Sequence, residues 1–157
     1  MKFLADHMLG RLARWLRLLG YDTTYTNIPL DDNALVDLSQ AEQRVLLTRD
    51  KNLAQRVGIP LIKSERVDQQ LEQVVRDYSL SIDEGKVLSR CSVCNTLVIA
   101  IDRKETKPLV PDRVYAMHQE FWLCPSCHRC YWKGSHWDKI MRRVRLLENL
   151  TGGGVDR

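Results

Sequence analysis

"KFLADHMLGRLARWLRLLGYD" (residues 2–22) runs a short apolar stretch into Asp6 and then opens a helical pattern. Leu9, Leu12, Ala13, Leu16 and Leu19 recur at helical spacing and make one apolar face, which Gly20 ends. Arg11, Arg14 and Arg17 are expected on the opposite side, toward solvent. An apolar strand that stops at a carboxylate and turns straight into a helix reads as the start of a βαβ unit, whose strand ends collect polar side chains. The pattern then repeats. "YDTTYT" (residues 21–26) is aromatic and β-branched, and "NIPLDD" punctuates before a helix expected over residues 32–43, with Asp31 or Asp32 placed to cap it. "RVLLT" (44–48) has a central-strand pattern, "RDKNLAQRVG" (49–58) is a short helix closed by Gly58, and "IPLIK" (59–63) is expected as a fourth strand. Residues 64–80 form an amphipathic helix striped by Val67, Leu71, Val74, Val75 and Tyr78. Strands separated by single helices imply an α/β fold: a parallel four-stranded sheet covered on both faces.

The polar, glycine-containing stretch at residues 81–90 marks a boundary, so a first domain is expected over 1–84. Beyond it lie two short apolar runs, "TLVIAI" (96–101) and "YAMHQEFWL" (115–123), joined by the charged, proline-containing "DRKETKPLVPDRV". They read as strands of a small β-rich zinc ribbon over 91–137. A C-terminal helix is expected over 138–150, burying Ile140, Val144 and Leu147, and residues 151–157 read as a disordered tail.

Composition narrows the class. The 157 residues are 44% hydrophobic and 28% charged, ordinary globular material without a stretch long enough to span a membrane, and the N-terminus lacks the layout of a signal peptide. A soluble cytoplasmic protein is expected. Residues 1–90 hold 13 Lys/Arg against 13 Asp/Glu, whereas 91–157 hold 11 against 7, so the net +4 belongs to the second half and suits a polyanionic partner.

All five cysteines lie between Cys91 and Cys130. Cys91-x2-Cys94 and Cys124-x2-Cys127, separated by 29 residues, put two thiolates on each of two tight turns, the donor set of tetrahedral Zn²⁺. Four sulfurs close the shell, so the zinc is expected to be structural, with Cys130 left as a spare thiol and His128 as a weaker competitor. Chemistry must then come from carboxylates. Asp6 and Asp50 both follow apolar strands, and Asp32 opens the helix before the second of them. Three gathered carboxylates repel one another unless a hard cation neutralises them, which makes Asp6, Asp32 and Asp50 candidate Mg²⁺ or Mn²⁺ ligands. Such ions activate water and stabilise charge in phosphodiester cleavage. Asp32 is equally suited to a helix cap, and Asn52 could help hold a metal-associated water. For a nucleic-acid partner the candidates are Arg11, Arg14 and Arg17 on the first helix, and Lys133 and His136 among the aromatics of "YWKGSHW" (131–137).

Taken together, "FLADHMLGRLARWLRLLGYD", "DDNALV", "RVLLTRDKNLA", the two CxxC pairs and "YWKGSHW" resemble the C-terminal RNase domain family of the Mut-seven proteins, over nearly all of residues 1–137. The resemblance implies a PIN-like three-layer α/β/α fold followed by a zinc ribbon. It also implies a metal-dependent endoribonuclease acting on single-stranded RNA through Asp6, Asp32 and Asp50, leaving 5′-phosphate and 3′-hydroxyl ends. PIN nucleases often carry a fourth acid two residues past the third; this chain has Asn52 there. The competing expectation is a non-catalytic zinc-ribbon adaptor, RNA-binding or ribosome-associated, with a degenerate acidic site.

Overall fold

The computed structural model describes residues 1–151. Its first sheet holds β1 (Lys2–Ala5), β2 (Asp22–Tyr25) and β3 (Val45–Leu47), all parallel, in the order β2-β1-β3. Between and after them come α1 (Gly10–Leu18), α2 (Asp32–Ala41), α3 (Lys51–Val57) and α4 (Val67–Asp77). Alternation along the strands assigns the layers. Phe3, Ala5 and Leu47 point into a core shared with α1 and α4, while Leu4 and Leu46 point the other way, against Leu35 of α2 and Leu53 of α3. With helices on both faces, every residue of β1 after Lys2 is buried.

The expected fourth strand does not form. Pro60 has no N–H to contribute to a ladder, and residues 59–63 make a single strand-like bond, from the Ile62 N–H to the Thr48 carbonyl (3.0 Å). The neighbouring backbone groups go to one side chain instead: Gln73 of α4 donates Nε2 to the Leu61 carbonyl (2.7 Å) and accepts from the Lys63 N–H (3.1 Å). Ile62 is still fully buried, so the segment fills the core as a strand would while its polar groups are satisfied by a helix.

The second sheet is antiparallel, β4 (Ile99–Ile101), β5 (Phe121–Leu123) and β6 (Cys130–Tyr131) in that order. The run 115–123 is shorter in strand than its composition suggested. Tyr115 to Met117 end the helix α6 (Asp112–Met117), started after Pro111, and only Phe121–Leu123 pairs. A further short helix, α5 (Arg103–Thr106), precedes it, capped by Asp102. Finally α7 (Ser135–Thr151) returns to the first unit, where Met141, Val144 and Leu147 join the core formed by α1, α4 and β1. Arg143 of α7 pairs with Asp68 of α4. Of the expected tail, Thr151 ends α7 and the rest lies outside the described residues.

Candidate functional site

The carboxyl ends of the three parallel strands define one edge, and all three helices that start there are capped by an aspartate. Asp6 caps the 3-10 turn His7–Leu9 by accepting from the Met8 N–H (2.7 Å), Asp31 caps α2 through Ala34 N–H (2.9 Å), and Asp50 caps α3 through Leu53 N–H (2.9 Å). Of the two candidates for the α2 cap, Asp31 takes the role and leaves the Asp32 carboxylate free in the first turn. One hydroxyl ties Asp6 to Asp50. Thr48, fully buried, donates to Asp6 Oδ2 (2.6 Å) and accepts from the Asp50 N–H (3.0 Å). Thr48 was not singled out in the sequence, where it reads as the last residue of a strand.

Asp6 is only 3% exposed. Its nearest cationic candidate is His7 Nδ1 at 3.6 Å, and no Lys or Arg among the described residues pairs with it. An ionised carboxylate held away from water without a cation is costly. Where β2 ends, the Thr26 hydroxyl is buried without a hydrogen-bond partner among the described residues, although the Thr26 N–H reaches the Ala5 carbonyl (3.3 Å). A buried carboxylate, a second carboxylate and an unpartnered hydroxyl at one sheet edge are the oxygen donors that suit a hard cation. Asp6, Asp32 and Asp50 occupy the same edge but do not close to within 4.8 Å of one another as a group; among the described residues the four cysteines alone do so. Asn52 sits exposed in the first turn of α3.

At the cysteines, Sγ of Cys91 lies 3.5 Å from that of Cys127, and Sγ of Cys94 lies 3.3 Å from that of Cys124. Sulfurs about 2.3 Å from a tetrahedral zinc stand about 3.8 Å apart, so the cluster is dimensioned to hold that ion. The two knuckles share one backbone design. In each, the residue after the second cysteine adopts a left-handed conformation (Asn95 φ 71°, His128 φ 60°) and donates its N–H to the carbonyl of the first cysteine (2.9 Å in both). That turn is His128's role, and it is not part of the cluster. The Cys94 thiol, which burial alone would raise, is brought down to about 6 by hydrogen bonds with Thr96, Cys124 and Cys91. Tyr131, another residue the sequence did not single out, places its hydroxyl 2.9 Å from Cys91 Sγ and accepts from the Ser92 N–H (3.2 Å). Cys130 stands apart, half-buried in β6, where burial pushes its thiol up.

The knuckles are fastened to the first unit by a residue expected elsewhere. Arg17 is not on a solvent face; it is 6% exposed. Its Nε donates to the Thr23 carbonyl (2.8 Å), and Nη1 donates to the Ser92 (3.2 Å) and Val93 (2.8 Å) carbonyls inside the first knuckle. Burial pulls its guanidinium below the usual arginine range, and the neighbouring Cys91 and Cys94 pull it partly back. In helical projection Arg17 lies one turn past Ala13, at the margin of the apolar stripe, which is the one signal of its burial in the sequence. Asp22 extends the junction. It pairs with Arg44 (2.7 Å) and accepts from Asn95 Nδ2 (2.8 Å), and these partners with Arg90 hold its carboxyl below the ordinary range despite burial.

Arg11 and Arg14 are exposed on α1, as expected. Lys133 lies over the Trp137 ring at 4.6 Å and near that of Trp122 at 5.6 Å, and His136 is exposed in the first turn of α7. No helix among the described residues is long and apolar enough to cross a membrane.

Residues 1–144 match the family model described as the Mut7-C RNAse domain. The human exonuclease mut-7 homolog is 28% identical over 101 residues, which cover 60% of this chain and 12% of that protein, so the chain spans about an eighth of its relative. No solved structure matches. With the family model spanning both the aspartate edge and the four-cysteine cluster, the chain belongs to the Mut7-C RNAse domain family.

Proposed function

We propose that this protein is a metal-dependent endoribonuclease acting on single-stranded RNA, with Asp6, Asp50 and Asp32 holding one or two Mg²⁺ or Mn²⁺ ions and the four cysteines holding a structural zinc. The observation that carries the reading is Asp6: a buried carboxylate at the carboxyl edge of a parallel sheet, without a Lys or Arg partner among the described residues, linked through Thr48 to a second strand-end aspartate. Family membership supports a nuclease role and an RNA substrate. A divalent cation bound here would supply a Lewis acid that polarises the scissile phosphate and makes water a better nucleophile. The chain's own residues would do the rest. Thr48 fixes the Asp6 carboxylate and the Asp50 backbone in one orientation, Asp32 drawn inward completes the anionic pocket, and Asn52 orients water. Arg11, a turn and a half from Asp6, holds a backbone phosphate against the edge.

The test is cleavage of an end-labelled RNA and of a circular RNA in Mn²⁺, by the wild type and by Asp6→Asn. Opening of the circle by the wild type and its loss in the variant are expected; equal cutting by both ends the proposal. A wild type that binds RNA but leaves both substrates intact would favour the adaptor reading, to which Asn52 in place of a fourth acid and the open spacing of the three aspartates already lend support.

A further inference from the structure

Residues that the sequence holds more than a hundred positions apart line one groove of about 720 Å³, between the later turns of α1 and the second zinc knuckle. Its walls carry Arg14 from α1, His128 and Arg129 from the knuckle, Trp132 from the segment leading into α7, and His136 and Trp137 from the first turn of α7. Among the described residues no carboxylate lines it. The volume falls within the range of small-molecule sites, and its guanidinium, imidazole and indole groups, set among the apolar Leu18, Leu88, Leu109 and Ile140, are complementary to an unpaired polyanion whose base faces are free. Arg14 and Arg129 are exposed, and neither forms an ion pair among the described residues.

The groove also has a direction. Arg14 stands eight residues beyond Asp6, about 12 Å at helical rise through the turn His7–Leu9 and into α1, with Arg11 one turn nearer the edge on the same exposed face. At the stacked spacing of about 3.4 Å per nucleotide, that span takes three to four nucleotides. We propose that this groove is the holding site for single-stranded RNA, with phosphates on Arg14 and Arg129 and a base against Trp132 or Trp137, and that α1 leads the strand from there to the aspartate edge. The inference rests on the nuclease reading for its direction; the binding itself does not.

The test is fluorescence anisotropy with a fluorescein-labelled ten-nucleotide oligouridylate and zinc-loaded Asp6→Asn protein, without added Mn²⁺. In that background, Arg14→Glu with Arg129→Glu is expected to weaken binding at least tenfold. The slope of log affinity against log salt should fall by about 1.4, two phosphate contacts at about 0.7 each. Arg76→Glu with Lys104→Glu, exposed positions on α4 and α5 with the same change of charge, should have a much smaller effect. A trinucleotide should gain little from the groove, and a blunt RNA duplex should bind more weakly than the single strand. Equal losses in the two double variants, no loss in the first, or duplex binding as tight as single-strand binding would each overturn the proposal. Because no cleavage is measured, failure of the groove leaves the Asp6 reading intact. Conversely, a wild type inert toward RNA in Mn²⁺ leaves groove binding standing.

Discussion

Replacing Arg17 with methionine keeps the unbranched aliphatic stem of the side chain and removes the guanidinium with its charge. Three hydrogen bonds from a charged donor disappear, to the carbonyls of Thr23, Ser92 and Val93. At about 1.5 kcal/mol net each they total about 4–5 kcal/mol, and removal of a buried charge returns part of its desolvation cost, leaving a loss of about 3 kcal/mol. For a chain of this size that corresponds to a fall in Tm of about 6–12 °C. A second consequence follows from charge. A zinc ion on four thiolates leaves the cluster with a net charge of about −2, and Arg17 is the buried cation beside it. The variant is therefore expected to lose zinc faster to a colorimetric chelator, while Arg17→Lys, which cannot span three carbonyls in two directions, falls between variant and wild type. Thermal unfolding followed by far-UV circular dichroism, with zinc release measured in parallel, decides the matter. A Tm within about 1 °C of wild type together with unchanged zinc release would refute the argument, because the buried Thr23 and Ser92 carbonyls cannot lose their donor without cost.

Thr48→Val removes the hydroxyl between Asp6 and Asp50 with little change of shape; RNA cleavage in Mn²⁺ should fall about 10–100-fold, the range for groups that orient metal ligands, while circular dichroism shows the fold retained. Gly10→Ala would put a Cβ 2.9 Å from the Tyr25 hydroxyl, which donates to the His7 carbonyl next to Asp6, so both Tm and cleavage should drop, and Gly10→Ala with Tyr25→Phe should recover part of the loss of Tm. The Asp22 carboxyl is held below its ordinary value in the folded state. Its contribution to stability is therefore complete above the unfolded value near 3.9 and is lost as the pH falls through the lower folded value; urea midpoints measured at about pH 7 and about pH 3 should differ less in Asp22→Asn than in wild type. Removing zinc with a strong chelator should unfold the ribbon and expose the Arg17 face of α1, read as lost near-ultraviolet dichroism and new proteolytic cleavage between residues 91 and 131.

What the sequence determined by itself is what depends on near neighbours. Leu9, Leu12, Leu16 and Leu19 mark a helix because the 3.6-residue period is local, the Asp31-Asp32 pair announces a cap because a cap bonds two or three residues away, and the CxxC pairs aim their sulfurs within one turn. Helices on both faces follow from apolar strands alternating with amphipathic segments. Tertiary structure decided where a polar group's partner lies far along the chain. Ile62 looks like a strand residue, but Pro60 and the side chain of Gln73 assign its neighbours' backbone bonds to a helix. Arg17 looks solvent-facing until the carbonyls of Ser92 and Val93, 75 and 76 residues away, come to rest on it. The aspartates share an edge because the strand order β2-β1-β3 puts the ends of adjacent strands side by side, while the spacing of their carboxylates is set by caps and by Thr48. Periodicity is written into short windows; the pairing of buried polar groups is settled only when distant segments pack.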